Sequence, residues 1–443
     1  MEPGTARSDQ LLAVVRGNVM GVVVQAPRTA ALTFTYDTAW QDMAGAFPLS
    51  LSMPLQRSTW SDRAVRMVLG GWIPDRAESL ERIAAEFHVA PDNPFAILGV
   101  IGQDCPGAVQ FVQPEHLDDL RAAGSGHVAW LTESELAVRL RALRTRAAPD
   151  RLRDDKGRFS LPGQQPKVAL VYEVDEHTGV ARWGVPDMAH PTTHIIKPPM
   201  GGQTRFLTAE HFSLRLAAAA GLPAAETFVV KAEDQVALAV VRFDRVRGDD
   251  GWIRVHQEDM CQTLGWSPQL KFESSGGPGV RQIVEGLRTR SQKAQTDVDR
   301  FLLAVALNWI IVGTDAHARN YSVLIGAGGG ARLAPLYDIM SGLAIAQPQD
   351  LHTVQLAMRV GDAYRATDIK RSEWRALAVE LGDAPSRVEA LVHTFAQGVA
   401  TAAEQVAATL RAENELPVAE IGMLESRIVR RARRCVRVFG QPA

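Results

Sequence analysis

The sequence predicts an α+β fold in which a strand-rich N-terminal part is followed by a mostly helical C-terminal part. Three observations carry this. The runs LLAVV, VMGVVVQ and LTFTY near the start have strand composition. The middle of the chain reads strand, strand, helix, strand, strand, and from Gln257 onward helical spacing dominates. At 443 residues the chain exceeds what one hydrophobic core usually organises, so two or three domains are expected. We divide it into 1–112, a small α+β unit; 113–256, a sheet with one helix against it; and 257–443, the helical part.

In the first stretch Arg16-Gly17-Asn18 is a turn between two strands. Ser79 to Phe87 has helical spacing, with Leu80, Ile83, Ala84 and Phe87 on one face. The second stretch has a helical piece at Glu133 to Arg144, then the charged run RLRDDKGR, an exposed linker or loop. Strands follow at Val168 to Val174 and Thr193 to Pro199, then a helix from about Thr208 to Ala220, closed by Gly221 and Pro223. TFVVKA and VALAVVRFDRV are two further strands. In the last stretch helices are expected near Val280 to Leu287, Val298 to Ile311, Arg371 to Leu381, Ser386 to Thr409 and Ile421 to Val438. One interruption, Val312 to Ser341, contains a polar loop, the strand pair YSVLI and ARLAPL about the turn GAGGG, and a second polar loop.

Composition narrows the function. Lysine plus arginine is 48 against 50 acidic residues, too balanced for a field that drives nucleic-acid or membrane binding by itself. Only seven of the basic residues are lysine, so a lysine inside a chemical-looking motif draws attention. Cys105, Cys261 and Cys435 lie too far apart for a metal pair and leave one over in any disulfide scheme, which favours a reduced setting. The opening MEPGTARSDQLLAVV lacks a secretory pattern, and the apolar run Phe301 to Gly313 is too short to span a bilayer. A soluble cytoplasmic protein with no membrane contact is expected.

The chemistry concentrates in the interruption. Its first loop reads Thr314-Asp315-Ala316-His317-Ala318-Arg319-Asn320, and its second Ala334-Pro335-Leu336-Tyr337-Asp338. Magnesium takes oxygen ligands, usually one or two carboxylates plus phosphates. Protein kinases place a proton-accepting aspartate five residues before a metal-binding asparagine, then a hairpin and a metal-binding aspartate. Asp315, Asn320 and Asp338 fall in that order and spacing. A kinase also needs a strand lysine for the nucleotide phosphates and a helical glutamate to hold it. Lys197 ends the strand HIIK, either in that role or as a snorkelling surface lysine. Glu210, in the first turn of the next helix, either pairs with it or complements the helix N-terminus. Phe159-Ser160-Leu161-Pro162-Gly163-Gln164-Gln165-Pro166-Lys167 is either a loop over the phosphates, with Gly163 allowing close backbone approach and Ser160 and Lys167 supplying polar contacts, or an ordinary polar loop. His317 is a loop-holding core histidine in one reading and a direct participant in the other.

With these residues in view, the chain resembles the HipA family, the serine/threonine kinase toxins of bacterial HipBA toxin–antitoxin modules. The resemblance rests on FTYD, PLSLSMPL, SLPGQQPK, HIIKPP, AEHFSLRLAAAAGL, VVRFDR, HQEDMCQTLG, KFESSGGPG, TDAHARNYS and LAPLYDIMS. It implies a protein-kinase-like two-lobed fold with a small N-terminal α+β subdomain, ATP and Mg2+ as cofactors, Asp315 as catalytic aspartate, Asn320 and Asp338 as magnesium ligands, and Lys197 on the nucleotide phosphates. It further implies Phe243 in the hinge bordering the adenine, Ser160 as an autophosphorylated serine whose modification ejects its loop, an aminoacyl-tRNA synthetase such as glutamyl-tRNA synthetase as target, and a HipB-like helix-turn-helix antitoxin as partner. DNA would be reached through that antitoxin. Two positions depart from the family pattern. Val241 stands where an acidic residue is common, and Arg319 where lysine is usual, keeping a positive charge near a phosphate with different geometry.

Two readings compete with a protein kinase: an antitoxin-bound co-repressor with vestigial activity, and a small-molecule kinase on the same platform. The arginine-rich ESRIVRRARRCVRV reads as a packed amphipathic helix with a solvated basic face, or as a phosphate contact.

Overall fold

The computed structural model describes residues 8–124, 126–145, 159–175, 178–187, 189–249, 251–346 and 348–440. The charged run at 151–158 lies outside the described residues. The chain forms two compact units: Met1–Ile195 with Asp244–Glu258 and Leu324–Gly330, and Ile196–Phe243 with Asp259–Val323 and Ala331–Ala443. Of the expected stretches, 1–112 lies wholly in the first unit, 113–256 is shared between the two, and 257–443 lies mostly in the second.

The first unit opens on the expected strands, Gln10–Val15, Asn18–Gln25 and Leu32–Tyr36. They form an antiparallel sheet with Thr59–Trp60 at one edge and Gln110–Val112 at the other. Arg16 and Gly17 have φ of 49° and 77°, the left-handed pair that a two-residue hairpin turn requires. A core of Leu11, Met20, Val23, Phe34, Trp72 and Phe111 fills one face of this sheet. The helix Ala77–Phe87 packs Leu80, Ile83 and Phe87 on the apolar cluster of Ile97, Val100 and Ile101, on the face its periodicity indicates. Val168–Val174 forms as expected, paired with a strand that the sequence reading lacks, Ala181–Pro186. A further unexpected strand, Val128–Trp130, pairs with the latter.

A buried ionic knot ties the distant parts of this unit together. Asp104 accepts from Arg245 (2.9 Å), Arg254 (3.1 Å) and the Thr192 hydroxyl (2.5 Å). Asp244 takes the Gly107 amide (2.6 Å) and Arg245 (2.8 Å). This departs from the uninterrupted strand expected for VALAVVRFDRV. The strand ends at Val241, and Arg245–Gly248 belongs instead to a hairpin with Gly251–Arg254.

In the second unit the hairpin Thr227–Ala232 with Gln235–Val241 accompanies the helix Thr204–Ala219, which starts a turn earlier than expected. The helices Val280–Arg290, Ala294–Ile311, Arg371–Glu380, Pro385–Glu413 and Val418–Phe439 lie where their periodicity indicates. Trp309 and Trp374 meet edge to face in the core. A hairpin absent from the sequence reading, Gln355–Val360 with Ala363–Arg365, turns at Gly361 (φ 58°) and Asp362. No helix among the described residues is long and apolar enough to cross a membrane.

Candidate active site

Ala294–Ile311 is apolar nearly all round and therefore runs through the core. It stops at Val312, which is left-handed (φ 56°). Gly313 must follow, because a Cβ there would meet Asn308 Oδ1 at 2.1 Å. The chain then turns into the loop carrying Asp315. This loop is knitted by its own backbone and side chains. His317 N–H donates to Asp315 O (2.8 Å), Asn320 N–H to His317 O (2.9 Å), and Asn320 Nδ2 to Asp315 O (2.6 Å). Asp315 keeps its side chain two-thirds exposed.

His317 is buried, meets the Phe272 ring edge-on at 4.9 Å, and has Nε2 3.7 Å from Asp315 Oδ1. That geometry fits the loop-holding role. Arg319 is turned inward, and its Nε donates to Asp259 Oδ2 (2.9 Å) with both groups buried. Its charge is offset by a carboxylate of the protein. Asp259 also caps the helix Met260–Leu264 in a reciprocal capping box with Gln262.

Asp338 has φ 54°, a left-handed backbone rare for a residue with a side chain. Tyr337 fixes the approach to it. The phenol donates to Arg319 O (2.8 Å), bonds Ser322 Oγ (2.6 Å), and its ring lies 5.4 Å from that of Phe243. Burial raises the Tyr337 phenol well above its ordinary range, so it stays protonated and able to donate. Asn320 Nδ2 lies 3.5 Å from Asp338 O, which brings the two polar loops together.

Lys197 completes the arrangement. Its Nζ donates to Glu210 Oε1 at 2.6 Å and to Asp338 Oδ1 at 2.8 Å, with its side chain 6% exposed. Burial disfavours the ammonium, but the Asp338 and Glu210 carboxylates outweigh this and hold its pKa above the usual lysine range. The two readings left open by the sequence are thereby separated geometrically. Because the helix begins at Thr204, Glu210 stands in its second turn, away from the N-terminus, and pairs with Lys197.

Ser160, Gly163 and Lys167 belong to the first unit. Ser160 is fully buried, its hydroxyl donating to Trp72 O (2.5 Å) and its amide to Asp104 O (3.0 Å). Lys167 Nζ closes the loop on Pro162 O (2.8 Å). Gly163 has φ 107°, and a Cβ there would stand 2.5 Å from Lys167 Nζ, so the position requires glycine.

The donor set suits magnesium. Asn320 offers an amide oxygen and Asp338 a carboxylate still about a third exposed, both hard oxygen ligands. No group of three His, Cys, Asp or Glu side chains able to hold a metal occurs among the described residues. Asp259, Phe272 and Tyr337 are site-supporting residues that sequence reading missed. Of these, Asp259 was legible, since Asp-x-x-Gln is a helix-start signature.

A strand lysine paired with a helical glutamate, joined to an aspartate and asparagine on loops flanking a hairpin, defines a protein of α+β, kinase-like fold. Residues 159–406 match the HipA-like C-terminal domain and residues 11–112 the HipA N-terminal domain. The chain belongs to the HipA family. It is 35% identical over 396 residues to Y4mE of Sinorhizobium fredii, which is named as a candidate kinase, covering 88% of this chain and 90% of that one. It is 29% identical over 369 residues to the serine/threonine-protein kinase toxin HipA of Shewanella oneidensis, covering 80% and 78%. The fold superposes on a solved HipA, in complex with HipB and operator DNA from Shewanella oneidensis, with a TM-score of 0.77 at 23% identity, covering 97% of this chain and 98% of that one.

Proposed function

We propose that this chain is an ATP-dependent serine/threonine protein kinase acting as the toxin of a toxin–antitoxin pair. The observation that carries the reading is the placement of Lys197 between Glu210 and Asp338. Asp315 accepts the proton of a substrate serine hydroxyl as its oxygen attacks the γ-phosphorus and ADP leaves. Lys197 offsets phosphate charge, and Glu210 keeps its ammonium in place. Asn320 and Asp338 would hold Mg2+, which when bound supplies charge neutralisation on the phosphates. Asn320 also fixes Asp315 through its bond to the Asp315 carbonyl. Phe243, against Tyr337, borders the adenine.

Ser160 is the autophosphorylation site in this reading. A buried hydroxyl bonded to a carbonyl leaves no room for a dianionic phosphate, so modification undocks the loop and stops transfer. The protein target is an aminoacyl-tRNA synthetase, with glutamyl-tRNA synthetase as first candidate. A HipB-like helix-turn-helix antitoxin is the partner, as in the Shewanella complex, and brings the chain to DNA in the cytoplasm.

The test is incubation of the purified chain, Mg2+ and γ-labelled ATP with a host lysate. Label on serine of a discrete protein, and a phosphate on Ser160 by intact mass, are expected. Label confined to a metabolite, or no label, would overturn the assignment.

A further inference from the structure

We propose that Glu420, on the C-terminal helix Val418–Phe439, is a positioning residue for phosphoryl transfer: it holds the helix Thr204–Ala219 so that Glu210 reaches Lys197. This rests on the kinase reading of the Lys197 site. Both oxygens of the Glu420 carboxylate are engaged, Oε1 by the Thr204 hydroxyl (2.7 Å) and Oε2 by the Thr208 hydroxyl (2.5 Å). Thr204 and Thr208 are one turn apart and lie on one face of their helix. Glu210 is two residues beyond Thr208, about 200° round the helix at 3.6 residues per turn, so it projects from the other side. The carboxylate clamp grips the back of the helix while the Lys197 bond forms at its front.

Other bonds run the same way. Arg215, on the last turns of that helix, bonds Glu413 (2.9 Å) at the end of the helix Pro385–Glu413, and Ser213 Oγ accepts from the amide of Ser341, three residues after Asp338 (3.1 Å). Arg427, two turns beyond Glu420, donates to the carbonyls of Leu343 (2.6 Å) and Ala346 (3.1 Å). The C-terminal helix therefore fastens both segments that supply carboxylates to Lys197. Kinase catalysis needs the lysine–glutamate pair in place, and that pair depends on where its helix sits. Of these fasteners, Glu420 is the one bonded to the Glu210 helix by two hydroxyls on one face.

A double-mutant cycle on the full chain reads the coupling. Glu420→Gln lowers kcat/KM for labelled phosphate transfer by about tenfold in the wild-type background and by less than about twofold when Glu210→Gln is already present. Thr208→Val, which keeps the shape and loses the hydroxyl, follows Glu420→Gln, and Thr208→Ser restores transfer. Hydrogen exchange supplies an arm independent of activity. Amides of 204–219 exchange faster in Glu420→Gln than in wild type, while those of Ala294–Ile311 do not. Multiplicative losses in the cycle, or unchanged exchange of 204–219, would overturn the proposal. A wild-type chain without transfer activity would overturn the kinase reading alone, with the exchange arm still deciding whether Glu420 holds the helix.

Discussion

Lys197→Met deletes an ammonium that bonds two carboxylates and leaves the shape of the side chain nearly intact. Glu210 is 6% exposed on its side chain and loses the ammonium it bonds, whereas Asp338 is about a third exposed and relaxes toward water. Removing one partner of a buried ion pair costs about 3–5 kcal/mol, and with Asp338 discounted for its exposure the lower end applies. At a urea slope of about 2–3 kcal/mol per molar, a loss of about 3 kcal/mol lowers the unfolding midpoint by about 1 M. The double variant Lys197→Met/Glu210→Leu also removes the buried carboxylate and recovers most of that stability, while phosphate transfer stays at least about 100-fold down in both. Urea unfolding followed by circular dichroism, with labelled-ATP transfer alongside, measures both effects. The lysine pKa is raised in the folded state, so its contribution is fully present below the unfolded value of about 10.4 and is lost only as pH rises through the folded one. Unchanged stability in Lys197→Met, or a double variant no more stable than the single one, would show that Lys197 and Glu210 do not form a stabilising buried pair.

Burial lowers the pKa of His211, hydrogen-bonded to Thr227, to about 4. Its folded state stays neutral while the unfolded chain takes up a proton, so stability is lost as pH falls from about 6.5 toward 4, by about 2 kcal/mol at pH 5. His211→Gln should flatten that slope in urea titrations at pH 7 and pH 5, and His194 and His256, also lowered to about 4 by burial, leave a residual slope. Ser160→Asp places a charge at the Trp72 carbonyl, which releases the loop and makes the chain cleavable by trypsin after Lys167; a digestion pattern identical to wild type would count against loop docking through Ser160.

Much of the site was legible because its residues are linked through local chain geometry. Asp315 and Asn320 are five apart in one loop, and the hairpin that returns the chain to Asp338 is short enough to read from YSVLI, GAGGG and ARLAPL. The Lys197–Glu210 pair was within reach for the same reason, being a strand end and the next helix. What was not legible depended on distant partners. Only the fold brings Asp259, sixty residues earlier, against the Arg319 guanidinium. The strand Val128–Trp130 is only three residues long and Ala181–Pro186 carries an arginine, a glycine and a proline, so their pairing partners define them more than their own pattern does. The Gln355–Arg365 hairpin turns at Gly361-Asp362, but Leu356, Ala357 and Met358 are apolar in a row, so no strand alternation marks it in the sequence.

Asp315, the exposed carboxylate of the knitted loop, is the residue on which phosphoryl transfer depends most directly. Asp315→Asn keeps the backbone carbonyl that Asn320 grips and removes the group that accepts the serine proton. Single-turnover transfer from labelled ATP to a protein serine should fall at least about 100-fold in this variant, with its unfolding midpoint unchanged. Transfer at the wild-type rate would contradict the assignment of this site as the seat of phosphoryl transfer.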